Sequence, residues 1–258
     1  MTDQVIAVEY RERVAILTMT YRPYNLAGPT LYGALLKALN EAVEAGSRAA
    51  LIRSALRHFC AGADVSLWDE RIVNEGRPAF NPIDVLRGFE QLPIPIVAAV
   101  HGSCLGGGLE IAMACDFIVA AASAKRGSVE VALGVNPLLG GIQRQVQRMG
   151  AARAREMTML GHRHDAATLE RWGLINRVVP DDQLEAVALA IATELANGPT
   201  VAHAATKKLV ALAVNEGVEA ADLQMGEIQK PVWASADLRA GLDSFRLNGP
   251  GLAVFEGK

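Results

Sequence analysis

Residues 95–115 constrain the fold of this chain more than any other stretch. They follow Pro93-Ile94 and read Pro95-Ile96-Val97-Ala98-Ala99-Val100, then His101-Gly102, then Gly106-Gly107-Gly108, then Leu109-Glu110-Ile111-Ala112-Met113-Ala114-Cys115. A continuous apolar run after two prolines predicts a buried strand, the His-Gly pair a tight turn, and the second apolar run a buried helix. The same alternation recurs on both sides. Residues 4–10 and 13–18 read as a strand pair around the polar corner Arg11-Glu12, and residues 30–45 as a helix with Leu31, Ala34, Leu35, Ala38, Leu39 and Ala42 on one face. A short strand at 49–52, a helix at 84–92, a strand at 117–121, helices near 140–149, 151–160 and 166–172, and a strand at 174–179 follow. Strands alternating with helices predict parallel strands joined by crossover helices, an α/β fold. After a helix that ends at Asn197-Gly198-Pro199, only helical pattern remains, over 201–214, 218–229 and 236–245. The expected division is therefore a core over 1–197 and a helical region over 198–258.

Composition excludes several classes of function. Of 258 residues, 51% are hydrophobic and the formal net charge is -3, so no overall positive field would gather nucleic acid or an anionic membrane. Apolar runs such as 94–100 are far shorter than the roughly 18 residues that would suggest a membrane span. The opening MTDQVIAVEY lacks a basic region followed by an apolar stretch, and Cys60, Cys104 and Cys115 form an odd set without paired spacing. Both observations favour a cytoplasmic protein with reduced, buried thiols. His162 and His164 have a spacing that can ligate metal, yet no third ligand lies nearby, so they read as a solvated loop and no metal is expected. His101 reads as a structural histidine.

The glycines before Leu109 carry the first chemical signal. A helix start leaves backbone N–H groups unpaired, and glycines let a ligand oxygen approach them closely, which makes a natural oxyanion site. Close packing alone would also explain them. Glu110 is the one polar side chain between Leu109 and Cys115. A carboxylate in an apolar helix is costly unless it is wetted, paired or used, and burial would raise its pKa toward neutrality, as proton transfer requires. The competing reading is a glutamate capping the first turn. Glu130, within Ser128-Val129-Glu130-Val131-Ala132-Leu133, offers a second carboxylate in apolar surroundings, or simply an exposed face. Phe59-Cys60-Ala61-Gly62-Ala63-Asp64-Val65 is a small-residue turn after a strand that could aim another N–H at the same place, or be any tight turn.

In this order and spacing the segments resemble the enoyl-CoA hydratase/isomerase family, also called the crotonase family. The resemblance runs over nearly the whole chain and is carried by FCAGADV, PIPIVAAVHGSCLGGGLEIAMACDFIVAA, VEVALGVNP with the following GGIQR, and DAATLERWGLINRVVPDDQL. It implies a spiral of ββα turns with a C-terminal helical region that assembles trimers or pairs of trimers. It implies an oxyanion hole from the N–H groups of Ala63 and Gly107, with Ala61, Gly62, Asp64, Val65 and Gly106 along the coenzyme A and substrate path. Glu110 and Glu130 match the two glutamates that act on one water in the family's hydratases. The implied activity is reversible hydration of a 2-enoyl-CoA, with the thioester as substrate and no further cofactor. The alternatives are double-bond isomerisation, another lyase reaction of the family, or coenzyme A binding with little catalysis.

The chain also departs from the family's usual pattern. Before Glu130 an aromatic residue and Pro-Glu are common, whereas this sequence has Lys125-Arg126-Gly127-Ser128-Val129-Glu130. The usual Pro-Gly-x-Gly-Gly becomes Pro137-Leu138-Leu139-Gly140-Gly141, and the early RPxxxNAL stretch becomes Arg22-Pro23-Tyr24-Asn25-Leu26-Ala27. Near the end, Arg246-Leu247-Asn248-Gly249-Pro250 replaces a basic EKR. These changes imply a reshaped wall beside the second glutamate.

Overall fold

A computed structural model describes residues 4–67 and 81–258. Its main sheet has six strands: β1 (Ile6–Arg11), β2 (Val14–Met19), β3 (Ala49–Ser54), β4 (Ile96–Val100), β6 (Phe117–Ala121) and β9 (Arg177–Val179), hydrogen-bonded in that order. β1 and β2 form an antiparallel hairpin, and every later pairing in this sheet is parallel. The crossovers run through α1 (Pro29–Glu44), α2 (Pro82–Gln91) and α3 (Gly107–Met113).

Strand periodicity explains why the central strands are apolar over most of their length. Ala15, Leu17, Met19, Ala50, Ile52, Ala98 and Val100 join one buried cluster with α1, α2 and α3. Their neighbours Val14, Ile16, Ala49, Leu51, Val97 and Ala99 join a second cluster under Leu184, Ala188, Ala192 and Ala196 of α6 (Leu184–Asn197). A sheet covered on both faces needs apolar residues at both parities, so alternation disappears. Truncating a fully buried side chain such as Leu17 to alanine would cost about 2–5 kcal/mol.

Three short strands make a second sheet: β5 (Ser103–Leu105) beside β7 (Lys125–Gly127) in parallel, and β7 beside β8 (His164–Asp165) antiparallel. This sheet corrects the sequence reading, which has a tight turn at His101-Gly102 and none of these three strands. It also corrects the solvated-loop reading of His164, whose half-buried ring packs on Trp172 with centroids 4.8 Å apart. The strand expected over 174–179 is shortened to its last three residues. α4 (Gly141–Leu160) contains a break at Gly150, with φ 79° and ψ 164°, so the expectation of two helices over this stretch holds in substance.

After α5 (Ala166–Arg171) and α6 come α7 (Thr200–Glu216), α8 (Val218–Ala234) and α9 (Ala236–Asn248). Large apolar side chains on these helices are open to solvent, among them Leu223 at 80%, Trp233 at 72% and Phe245 at 60% exposure. Among the described residues no helix is long and apolar enough to cross a membrane.

Candidate active site

The 59–65 turn is fastened on both sides. On one side the Ala27 N–H donates to Gly62 O at 2.8 Å, and the Asp64 N–H donates to Ala27 O at 2.9 Å. On the other, the Cys60 N–H donates to Ser103 O and the Leu105 N–H to Cys60 O, both at 3.2 Å, which lays the turn along β5. Buried Asn25 ties down the approach to this turn, its Nδ2 donating to Ser54 Oγ at 2.8 Å and Phe59 O at 3.0 Å. Asn25 has φ 52°, a left-handed conformation that asparagine tolerates better than most residues.

This stitching brings the turn against the glycine-led start of α3. Gly106, with φ 49°, is the N-cap, and a Cβ there would lie 3.9 Å from Gly62 Cα. A Cβ on Gly107 would lie 2.6 Å from the Tyr32 hydroxyl, and one on Gly108 would lie 2.5 Å from Cys60 Cβ. The glycines therefore serve close packing as well as access. Among the described residues, the N–H groups of Ala63 and Gly107 have no acceptor. Those of Ala61, Asp64 and Gly106 are already spent on Tyr24 O, Ala27 O and Gly127 O. Because α3 has seven residues, individual unpaired N–H groups rather than a long helix dipole make its start attractive to an oxygen anion.

Glu110 lies one turn into α3 and is 2% exposed. Its Oε1 accepts the Leu139 N–H at 2.9 Å and the Gly141 N–H at 2.8 Å. It does not cap its own helix, as the competing sequence reading would have it. Burial above all, and then the charge of Glu130, push its pKa up to about 7, against the lowering effect of the two N–H groups and Arg144. Glu130 opens a 3₁₀ turn (Glu130–Leu133), and its carboxyl faces Gly106, Oε1 lying 3.2 Å from where a Cβ at 106 would sit. Both Glu130 oxygens are buried with no hydrogen-bond partner among the described residues, and burial raises this pKa as well. Burial raises both carboxyl pKa values, and the negative charge of Glu130 adds to the rise at Glu110.

Two further residues belong here that the sequence reading does not single out. Tyr32, on the buried face of α1, is 3% exposed and sits beside Gly107. Burial, with Glu110, Cys60 and Glu130 nearby, raises its pKa well above the usual phenol value, so it keeps its proton. An aromatic hydroxyl on an otherwise aliphatic helix face is the signal that marks it. Arg144, in the first turn of α4, contacts the 139–141 loop that holds Glu110. His101 behaves as a structural residue, its Nε2 2.8 Å from Leu56 O.

The arrangement offers two unpaired backbone donors next to two carboxyl groups with raised pKa values. Residues 9–249 match the sequence pattern of the enoyl-CoA hydratase/isomerase family. The chain is 34% identical to a probable enoyl-CoA hydratase of Rhizobium meliloti, over 95% of this chain and 96% of that one. It is 32% identical to a probable enoyl-CoA hydratase of Mycobacterium bovis, with the same coverage of 95% and 96%. Among solved structures, enoyl-CoA hydratase from Bacillus anthracis superposes with a TM-score of 0.87 at 30% identity, covering 99% of this chain and all of that one.

Proposed function

The chain belongs to the enoyl-CoA hydratase/isomerase family, and from this membership and its site we propose that it catalyses the reversible addition of water to a 2-enoyl-CoA thioester. In this reading the thioester oxygen lies between the N–H groups of Ala63 and Gly107, which strengthen their hold as negative charge builds on it. Losing one such donor costs about 2.7–4 kcal/mol in comparable sites. Water adds its oxygen to C3 and C2 gains a proton. Glu110 and Glu130 share this proton traffic, one carboxylate taking a proton from the water and one carboxylic acid supplying the proton that ends on C2. Two carboxyl groups with raised pKa values suit both halves of the exchange near neutral pH.

The observation that carries the proposal is the meeting of the two carboxyls with two unsatisfied N–H groups around Gly106. Ala61, Gly62, Asp64, Val65 and Gly106 line the path of the coenzyme A thioester, mainly through shape and carbonyl groups, since the N–H groups of Ala61, Asp64, Val65 and Gly106 are already bonded. We further place the protein in the cytoplasm and divide it into a core over 1–197 and an assembly region over 198–258. The apolar side chains open on α8 and α9 support a trimer or a pair of trimers.

The test is turnover of a panel of 2-enoyl-CoA esters by purified protein. At least one ester should be hydrated, and Glu110→Gln and Glu130→Gln should each lose about 10²–10⁴ in rate. Full turnover by both variants would rule the mechanism out. A product isomerised without added water, with only Glu130→Gln inactive, would identify an isomerase instead.

A further inference from the structure

The peptide unit joining Gly140 to Gly141 is gripped at both ends. Its N–H, on Gly141, donates to Glu110 Oε1 at 2.8 Å. Its carbonyl, on Gly140, accepts from Arg144 Nη1 at 3.3 Å, and the same Nη1 donates to Leu139 O at 3.1 Å. On its other edge the guanidinium donates from Nε to Glu90 Oε1 of α2 at 2.7 Å. Arg144 is 7% exposed. Gly140 adopts φ 87°, and a Cβ there would meet Arg144 Nη1 at 2.6 Å, so only glycine lets the guanidinium reach the carbonyl. A bond at one end of an amide polarises the other, so a charged donor on Gly140 O strengthens the Gly141 N–H as a donor.

We propose that Arg144 is a positioning residue for Glu110, acting through the Gly140–Gly141 peptide, with Glu90 holding the guanidinium in place. The proposal rests on the reading of Glu110 as a proton-transfer group. The Glu90 pair alone, half open to solvent, gives no reason to bury an arginine; the two carbonyls of the loop behind Glu110 do. The charged and titratable groups around Glu110 are Glu130 from the turn after β7, Tyr32 from α1 and Arg144 from α4. Of these, Arg144 alone is a cation, and its charge favours the ionised carboxylate. Around Arg144 itself stand Glu90 and, on its own helix, Arg148.

The experiment is steady-state kinetics against pH with a hydrated enoyl-CoA ester, for the wild type, Arg144→Gln, Arg144→Lys, Glu90→Gln and Glu110→Gln. Arg144→Gln should lower kcat by about 10²-fold with KM little changed, the scale of a misplaced catalytic group. It should also move the pH limb belonging to Glu110 upward. Arg144→Lys, which keeps the charge without the fork, should restore the limb and only part of kcat. Glu90→Gln should act in the same direction more weakly. An unmoved limb in Arg144→Gln, or a loss confined to KM, overturns the proposal. If Arg144→Gln fails to fold, wild-type kcat in both Glu90→Gln and Arg144→Lys, with an unmoved limb in Glu90→Gln, overturns it equally. Full activity in Glu110→Gln overturns instead the reading of Glu110 on which the proposal rests.

Discussion

Glu110 Oε1 accepts the Gly141 N–H at 2.8 Å, and the same oxygen lies 2.7 Å from where a Cβ on residue 141 would stand. The bond and the missing side chain are one requirement, because the backbone reaches the carboxylate only where no Cβ intervenes. Gly141→Ala should therefore displace Glu110, or push the 139–141 loop away from it. We expect turnover of enoyl-CoA esters to fall by about 10²-fold. Gly226→Ala, inside α8 with nothing within 4 Å of the added methyl, should instead gain about 0.4–1 kcal/mol of stability. Equal stability and activity in the two variants would contradict this account of Gly141.

Burying Glu110 should cost stability in a defined pH window. Its pKa rises from 4.5 to about 7 on folding, so between these values the folded protein binds more protons than the unfolded chain. Stability from this group is then full below about pH 4.5, falls as pH rises to about 7, and is level above. The shift corresponds to about 3 kcal/mol. Glutamine keeps an acceptor for the Leu139 and Gly141 N–H groups without the charge. Denaturant unfolding should find Glu110→Gln close to the wild type at pH 5 and more stable by up to that amount at pH 8. A stability difference that stays flat across this range would mean that Glu110 is not raised.

The sequence shows Glu110 clearly because a single carboxylate interrupts an apolar run, and burial makes such an interruption expensive. The central strands are legible for a related reason: a sheet covered on both faces demands apolar residues in unbroken order. The second sheet is not legible. Ser-Cys-Leu, Lys-Arg-Gly and His-Asp are too short to show a period, and they become strands through pairing with residues far along the chain. Arg144 escapes for the same reason, since Glu90 lies 54 positions away and its other partners are carbonyls, which every residue has.

Arg126 carries a charge that the fold does not balance. It is fully buried in β7, and Nη2 donates to Val100 O at 3.3 Å while Nε and Nη1 have no partner among the described residues. Burial pushes its pKa down to about 10. Replacing a buried charge with an apolar side chain of similar length is often stabilising by about 1–4 kcal/mol. Arg126→Met should accordingly raise the thermal midpoint. A lower midpoint would show that the guanidinium is held by more than Val100 O.

The C-terminal residues are tied to the core through Asp237, which is 3% exposed at the start of α9. Its Oδ1 accepts the Glu256 N–H at 2.7 Å and its Oδ2 the Gly257 N–H at 2.9 Å, while its own N–H donates to Lys258 O at 3.1 Å. Phe255 O, one residue before, accepts from Arg13 Nη1 at 2.8 Å and Arg48 Nη1 at 2.9 Å, the two residues that immediately precede β2 and β3. The tail thus joins α9 to strands more than 180 residues earlier in the chain. Asp237→Ala strands two N–H groups, at a cost of about 1–3 kcal/mol for each that stays buried. It should lower stability and open the last residues to carboxypeptidase, while Arg48→Ala, which leaves Phe255 O its bond from Arg13, should open them less. Digestion at the wild-type rate in Asp237→Ala would show that the arginines hold the tail without it.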